Sequence, residues 1–331
     1  MVHITFYILP ILICLASMLT MGCSDRSEPP NTFRIAYVMS PGGTSHQGAI
    51  KIKELIEADD ELGMQCKLYP NAILGKDREL MELLQLDGVD MVIGGPSVIG
   101  MYNPAYQILE APFLFRDYDH LHSILDGPIG MEMRDEMRTQ FGFEYLGFFL
   151  RGPRYLTTSS KIIRQPTDLA GLKLRVPELN IYIQSWNTFG ANPTPIPFSD
   201  MFMALRQGVV EGQENPLEVI YTNNLQEVQK YVMETKHLLS FYAVVVGRSF
   251  QEKFNAMQKE KIAEYVDQAA TYHDALMDEF EAEYKEKLRA AGMEFVPVDR
   301  SGFEQLAKVK LPTLLGDRGS KQLFEEIVNA R

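Results

Sequence analysis

Hydrophobic residues along this chain alternate between two periods. In Leu172-Lys173-Leu174-Arg175-Val176 apolar and basic positions take turns with the two-residue repeat of a strand, and Pro177 biases Val176 towards extended geometry. Residues 33–39, 64–68 and 89–93 read as further strands. Helical spacing takes over elsewhere. Ala49, Ile52, Leu55 and Ile56 share one face of a helix opened by the loop Pro41-Gly42-Gly43-Thr44-Ser45-His46, and residues 77–86 form a second helix. Ile181, Tyr182, Trp186 and Phe189 line a third, which Gly190 stops. Residues 192–197 then hold three prolines in an extended loop, Ser199 is placed to cap a helix over 200–207, and Gly208 ends it. Val209-Val210 leads into a buried strand that ends near Asn215, where Pro216 offers no ladder donor. From 255 to 291 one helical pattern runs through Ile262, Val266, Ala269, His273, Leu276, Phe280 and Leu288, with Gly292 past its end.

Strands and helices in this alternation make an α/β protein. Ligands of open α/β sheets sit beyond the carboxyl ends of the strands, which is where Arg175, Phe198 and Asn215 fall. With 331 residues, 46% hydrophobic and 23% charged, two domains are the natural expectation. A net charge of −12 argues against nucleic acid as a partner. The same charge weakly repels anions, so any anion site has to be a local arginine-lined cleft acting at short range.

Candidate chemistry narrows the picture. Arg175 carries a permanent charge and a rigid donor fork that fits a carboxylate bidentately; a structural salt bridge is the plainer alternative. Asn215 can donate to a ligand oxygen and accept from a ligand hydroxyl, or it can cap the helix that follows. Thr44 and Ser45 lie where a glycine-rich loop meets a helix N-terminus, a place that can hold an anion or form only a turn and a cap. Gly94-Gly95-Pro96-Ser97 opens another helix that faces the expected cleft. Histidine and cysteine residues show no metal-ligand spacing, no cofactor motif is present, and the signatures of serine hydrolases, zinc proteases, P-loop and dinucleotide enzymes are missing, so an enzyme is the remote reading.

Three motifs in order, LKLRVP, GANPTPIPF and ALRQGVVEGQENPL, resemble the solute-binding subunits of tripartite ATP-independent periplasmic (TRAP) transporters, the DctP-like family. Residues 68–79, 86–91 and 111–115 look like the family's first-domain pattern, so the resemblance spans about residues 33 to 325. It implies a two-domain periplasmic-binding-protein fold with a cleft between the domains and a long helix spanning both. The expected division is 32–152 plus 241–280 for domain I and 153–240 plus 281–331 for domain II. It implies ligand closure around a small carboxylate, delivery to small and large membrane permease subunits, and a monomer with no cofactor. A sensor module that hands the same ligand to a receptor is the alternative. By resemblance Arg154 is the second ligand arginine and Arg151 a rim or structural residue, while Phe198 packs against the ligand. Gly95 and Ser97 contribute a neutral turn to the cleft, and Tyr242 stands where members vary, as either an aromatic wall or core. The neutral turn and the aromatic wall tilt the expected ligand towards a sugar acid such as a uronate or aldonate, ahead of a C4-dicarboxylate or keto acid.

The N-terminus indicates export. Residues 4–22 are an apolar run interrupted by Pro10, followed by Cys23 and the polar Ser24-Asp25-Arg26-Ser27-Glu28. This looks like a lipoprotein signal over 1–22, with Cys23 as lipidation site and 23–31 as tether. A conventional cleaved signal or a retained membrane helix are the other readings. Of the remaining cysteines, Cys14 lies within the signal and Cys66 is expected as a small buried hydrophobe in the mature domain.

Overall fold

A computed structural model describes residues 31–314 and 318–330, so the expected signal, the tether and Cys23 lie outside the described residues, except for Asn31. Two sheets organise the chain. The first has five strands in the order β2-β1-β3-β10-β4, with β1 at Thr32–Ala36, β2 at Gln65–Tyr69, β3 at Met91–Gly94, β4 at Glu144–Arg151 and β10 at Ser240–Val246. The second has six in the order β11-β9-β5-β8-β6-β7. These are β5 (Tyr155–Thr158), β6 (Lys173–Val176), β7 (Asn192–Pro195), β8 (Gly212–Asn215), β9 (Tyr231–Met233) and β11 (Glu294–Val296).

The chain passes from the first sheet to the second between Arg151 and Tyr155 and returns between Met233 and Ser240. Strand β10, antiparallel to both β3 and β4, is buried along its whole length, which suits its run Phe241-Tyr242-Ala243-Val244-Val245-Val246. The proline-rich loop of the sequence is in fact strand β7, paired in parallel with β6 at the sheet edge. Pro193 and Pro195 lack the donor that a central strand needs, and only an edge tolerates them.

The expected single helix over 255–291 is two helices, Ala256–Asp274 and Met277–Ala290, separated by a turn in which the Leu276 N–H donates to the His273 carbonyl. The first packs on β4 and on the helix Thr44–Ala58, and the second packs on the helix Leu217–Thr222. Each half therefore serves the layer of a different sheet. Gly48 sets the closeness of one contact: a Cβ there would stand 2.5 Å from the Phe149 ring, which stacks in turn on His273 at 5.0 Å.

Candidate functional site

A cavity of about 480 Å³ is lined by both sheets. Of the expected site residues, Arg175, Arg154, Asn215, Phe198, Tyr242, Gly95 and Ser97 line it. Thr44 and Ser45 do not. The Thr44 N–H donates instead to Glu218 Oε2 at 2.7 Å, and both hydroxyls are buried without a hydrogen bond among the described residues, so neither the anion-binding nor the side-chain-capping expectation describes them. The helix N-terminus already faces a carboxylate of this chain.

Arg175 occupies the third position of β6, on the face it shares with exposed Lys173; that face runs from solvent into the cavity. The residue is 2% exposed, and its Nε donates to the Ile196 carbonyl at 2.9 Å. No acidic side chain pairs with it among the described residues, so the salt-bridge alternative fails. Burial pulls its pKa down to about 10, with Glu214 opposing and Arg154 and Arg151 adding to the fall. An uncompensated guanidinium in a polar cavity favours an anion beside it, because leaving a buried charge unpaired costs several kcal/mol, roughly 3–5 where measured by partner removal.

Arg154 is differently placed. It is 1% exposed, and its fork is held by Glu214: Nε and Nη2 both meet the carboxylate, and Nη2 also donates to the Glu214 carbonyl at 2.7 Å. His237 Nε2 adds a third contact to Glu214 at 3.1 Å. Burial pushes the Glu214 carboxyl up, but the charge and hydrogen bonds of Arg154 and His237 outweigh it and hold the group down at about 2. The charge expected to clamp a ligand is neutralised inside the protein.

Arg151, expected at the rim, lines the same cavity. It ends β4, is 9% exposed, has no carboxylate partner among the described residues, and leaves Nε buried without a hydrogen bond. Its guanidinium lies over the Tyr242 ring, 4.9 Å from the centroid, and Nη2 donates to Asn215 Oδ1 at 3.3 Å. Asn215 is not a helix cap, since Pro216 holds that position. Its amide donates to Gln213 Oε1 at 2.7 Å; Gln213 donates to the Thr157 hydroxyl, which donates to Gln229 Oε1. This buried relay fixes the amide with its oxygen towards Arg151. Asn215 thus positions a cation.

Tyr242 donates its hydroxyl to Glu218 Oε1 at 3.0 Å and turns its ring to Arg151. Trp186 is buried off the cavity, edge-on to Phe189 and His237. The lining also includes groups absent from the expectations: Tyr182, Asp77 and Glu110. Burial pushes the Asp77 carboxyl up to about 6 and that of Glu110 up to about 7, with Arg151 pulling both down. Glu110 had a signal in the sequence. It is the lone charge in Ile108-Leu109-Glu110-Ala111-Pro112-Phe113. Among the described residues no group of His, Cys, Asp and Glu has the makings of a metal site, and no helix is long and apolar enough to cross a membrane.

Two sheets joined by repeated chain crossings, with a polar cavity lined by both, define a solute-binding protein. Residues 35–313 match the pattern of bacterial extracellular solute-binding protein family 7, the DctP family, and the chain belongs to it. A solute-binding protein of Roseobacter denitrificans is 32% identical over 84% of this chain and 85% of its own length. A TRAP periplasmic solute-binding protein of that organism, crystallised with L-galactonate, superposes with a TM-score of 0.84 at 30% identity, covering 89% of this chain and 98% of its own. A protein of this type from Polaromonas, bound to D-erythronate, gives 0.85 at 28%, and one from Sulfurospirillum deleyianum, bound to succinate, gives 0.84 at 28%. Each of these two covers 91% of this chain and 99% of its own.

Proposed function

We propose that this protein captures a small organic acid outside the cytoplasm and delivers it to the membrane permease subunits of a TRAP transporter, with a sugar acid favoured over a C4-dicarboxylate. The observation that carries the reading is Arg175, a buried guanidinium facing the cavity with no acidic partner among the described residues. The ligand carboxylate pairs with Arg175, the Phe198 and Tyr182 rings wall the carbon chain, and the neutral turn at Gly95 and Ser97 leaves room for oxygens. The lobes are built on the two sheets, with Met277–Ala290 on the six-stranded side and Arg318–Asn329 against Pro104–Glu110 on the five-stranded side, and the cleft closes because the bound acid touches both.

Removing one member of a desolvated ion pair costs about 3–5 kcal/mol, roughly two to three and a half decades of affinity. Arg175→Ala therefore abolishes the rise in melting temperature that a matching acid gives the wild type. Calorimetric affinity unchanged in that variant contradicts the assignment. The N-terminal segment is proposed to direct export with Cys23 as the lipidated residue; labelled palmitate entering the wild type but not Cys23→Ser supports this, and equal labelling refutes it.

A further inference from the structure

Gly95 stands at a point where three polar side chains meet. A Cβ there would lie 3.5 Å from Arg151 Nη1, 3.7 Å from Ser97 Oγ and 4.0 Å from Glu110 Oε1. Glycine leaves that hollow open to the cavity that all four residues line. One donor, one acceptor and one hydroxyl surround it, and each has spare capacity. Arg151 has no carboxylate partner among the described residues. Glu110 is 3% exposed and accepts one long hydrogen bond among them, from Ser240 Oγ at 3.5 Å.

We infer that Glu110 and Arg151 form a hydroxyl-reading pole around Gly95, which selects a hydroxylated monocarboxylate and rejects dicarboxylates and keto acids. The inference rests on the proposed function and specifies its ligand class. A hydroxyl entering the hollow accepts from Arg151 and donates to Glu110, so both buried groups are satisfied. A carbonyl or a second carboxylate brings only acceptors. Against Glu110 in its ionised form, which predominates above pH 7, it meets another acceptor, and a buried polar group left unpaired is how a site rejects the analogue lacking a donor, by a larger factor than an apolar pocket reaches. The pole differs from the carboxylate clamp: Arg175 holds charge, whereas Glu110 asks for a proton donor.

The test uses two matched ligand pairs, D-erythronate with succinate and L-galactonate with adipate, titrated calorimetrically above pH 8, where Glu110 is ionised, into wild type, Glu110→Gln and Gly95→Ala. The alanine methyl meets its neighbours at ordinary contact distances, so Gly95→Ala folds and fills the hollow. In wild type the hydroxy acid of at least one pair binds ten-fold or more tightly than its dicarboxylate. Glu110→Gln, with amide hydrogens for an incoming carboxylate, shrinks that ratio at least ten-fold. Gly95→Ala weakens the hydroxy acid at least ten-fold and changes the dicarboxylate less. A wild type that prefers the dicarboxylate, or a ratio unchanged in Glu110→Gln, overturns the hydroxyl pole while leaving the acid-binding reading intact. Failure of all four acids to bind wild type, or their undiminished binding to Arg175→Ala, overturns the underlying function instead.

Discussion

Arg151, Arg154 and Arg175 have the same side chain and three different electrical environments, decided by which carboxylates the fold brings near. All three line the cavity; Arg154 meets Glu214 in a bidentate pair, whereas the other two have no carboxylate partner among the described residues. Glu214→Gln leaves the Arg154 charge buried and poorly compensated, so it costs about 3–5 kcal/mol of stability, read as a lower urea midpoint at pH 7. The sign of the acid dependence follows from the depressed carboxyl. The ordinary value is 4.5 and the folded one about 2, so the stabilisation is fully present above about pH 4.5 and lost as pH falls towards 2. Glu110 acts in the opposite sense. Its carboxyl is raised from 4.5 to about 7, so its contribution is present below 4.5 and lost as pH rises through 7. Glu110→Gln should therefore flatten the loss of stability between pH 5 and 7; an unaltered slope counts against that environment. At this scale the sequence was half legible. A place at the carboxyl end of a strand marks Arg175, and a lone charge in an apolar run would have marked Glu110, because burial of charge needs a reason. Nothing in the spacing of Arg151 and Arg154, three residues apart across a chain crossing, tells which of them Glu214 will claim.

Elements were easier to read than their joins. The strand at Lys173–Val176 and the helix at Asn180–Phe189 fall within a residue or two of the positions their hydrophobic period indicates, since the burial that creates the period also stabilises the element. The turn at Ala275-Leu276 left no trace. No glycine or proline marks it, and the apolar stripe passes through with helical spacing because both halves bury a face, against different partners. Proline misled at β7, where a loop composition forms an edge strand. Close packing gives a prediction at this scale. A methyl at Gly48 would sit 2.5 Å from Phe149 Cε2, and the ring is held from behind by His273. Overpacking of this kind costs about 1–3 kcal/mol, so Gly48→Ala should lower the melting temperature without altering ligand affinity, the cavity being lined by other residues. A neutral substitution would mean that the helix Thr44–Ala58 can slide on its sheet.

For the whole molecule, an acidic chain binds an anion only by local means. The global charge of −12 is screened over about 8 Å at physiological ionic strength, while Arg175 and Arg151 act at contact. The two-layer α/β class and the cleft were legible from motif order, whereas the contacts that tie the layers together were not, since each joins residues far apart in sequence. Glu218 is the clearest of these. From the helix Leu217–Thr222 it accepts the Thr44 N–H and the Tyr242 hydroxyl, both belonging to elements of the five-stranded side, and Lys76 adds an ion pair with Asp200. The protein thereby supplies its own carboxylate acceptor across the cleft, and ligand need not do all the work of closing it. A ligand-free population of compact molecules follows, and Glu218→Ala should deplete it, raising the radius of gyration in small-angle scattering and weakening ligand although Glu218 lies outside the cavity lining. In such a protein affinity is set partly by a residue the ligand never touches, so binding strength can be tuned without altering which acid is chosen.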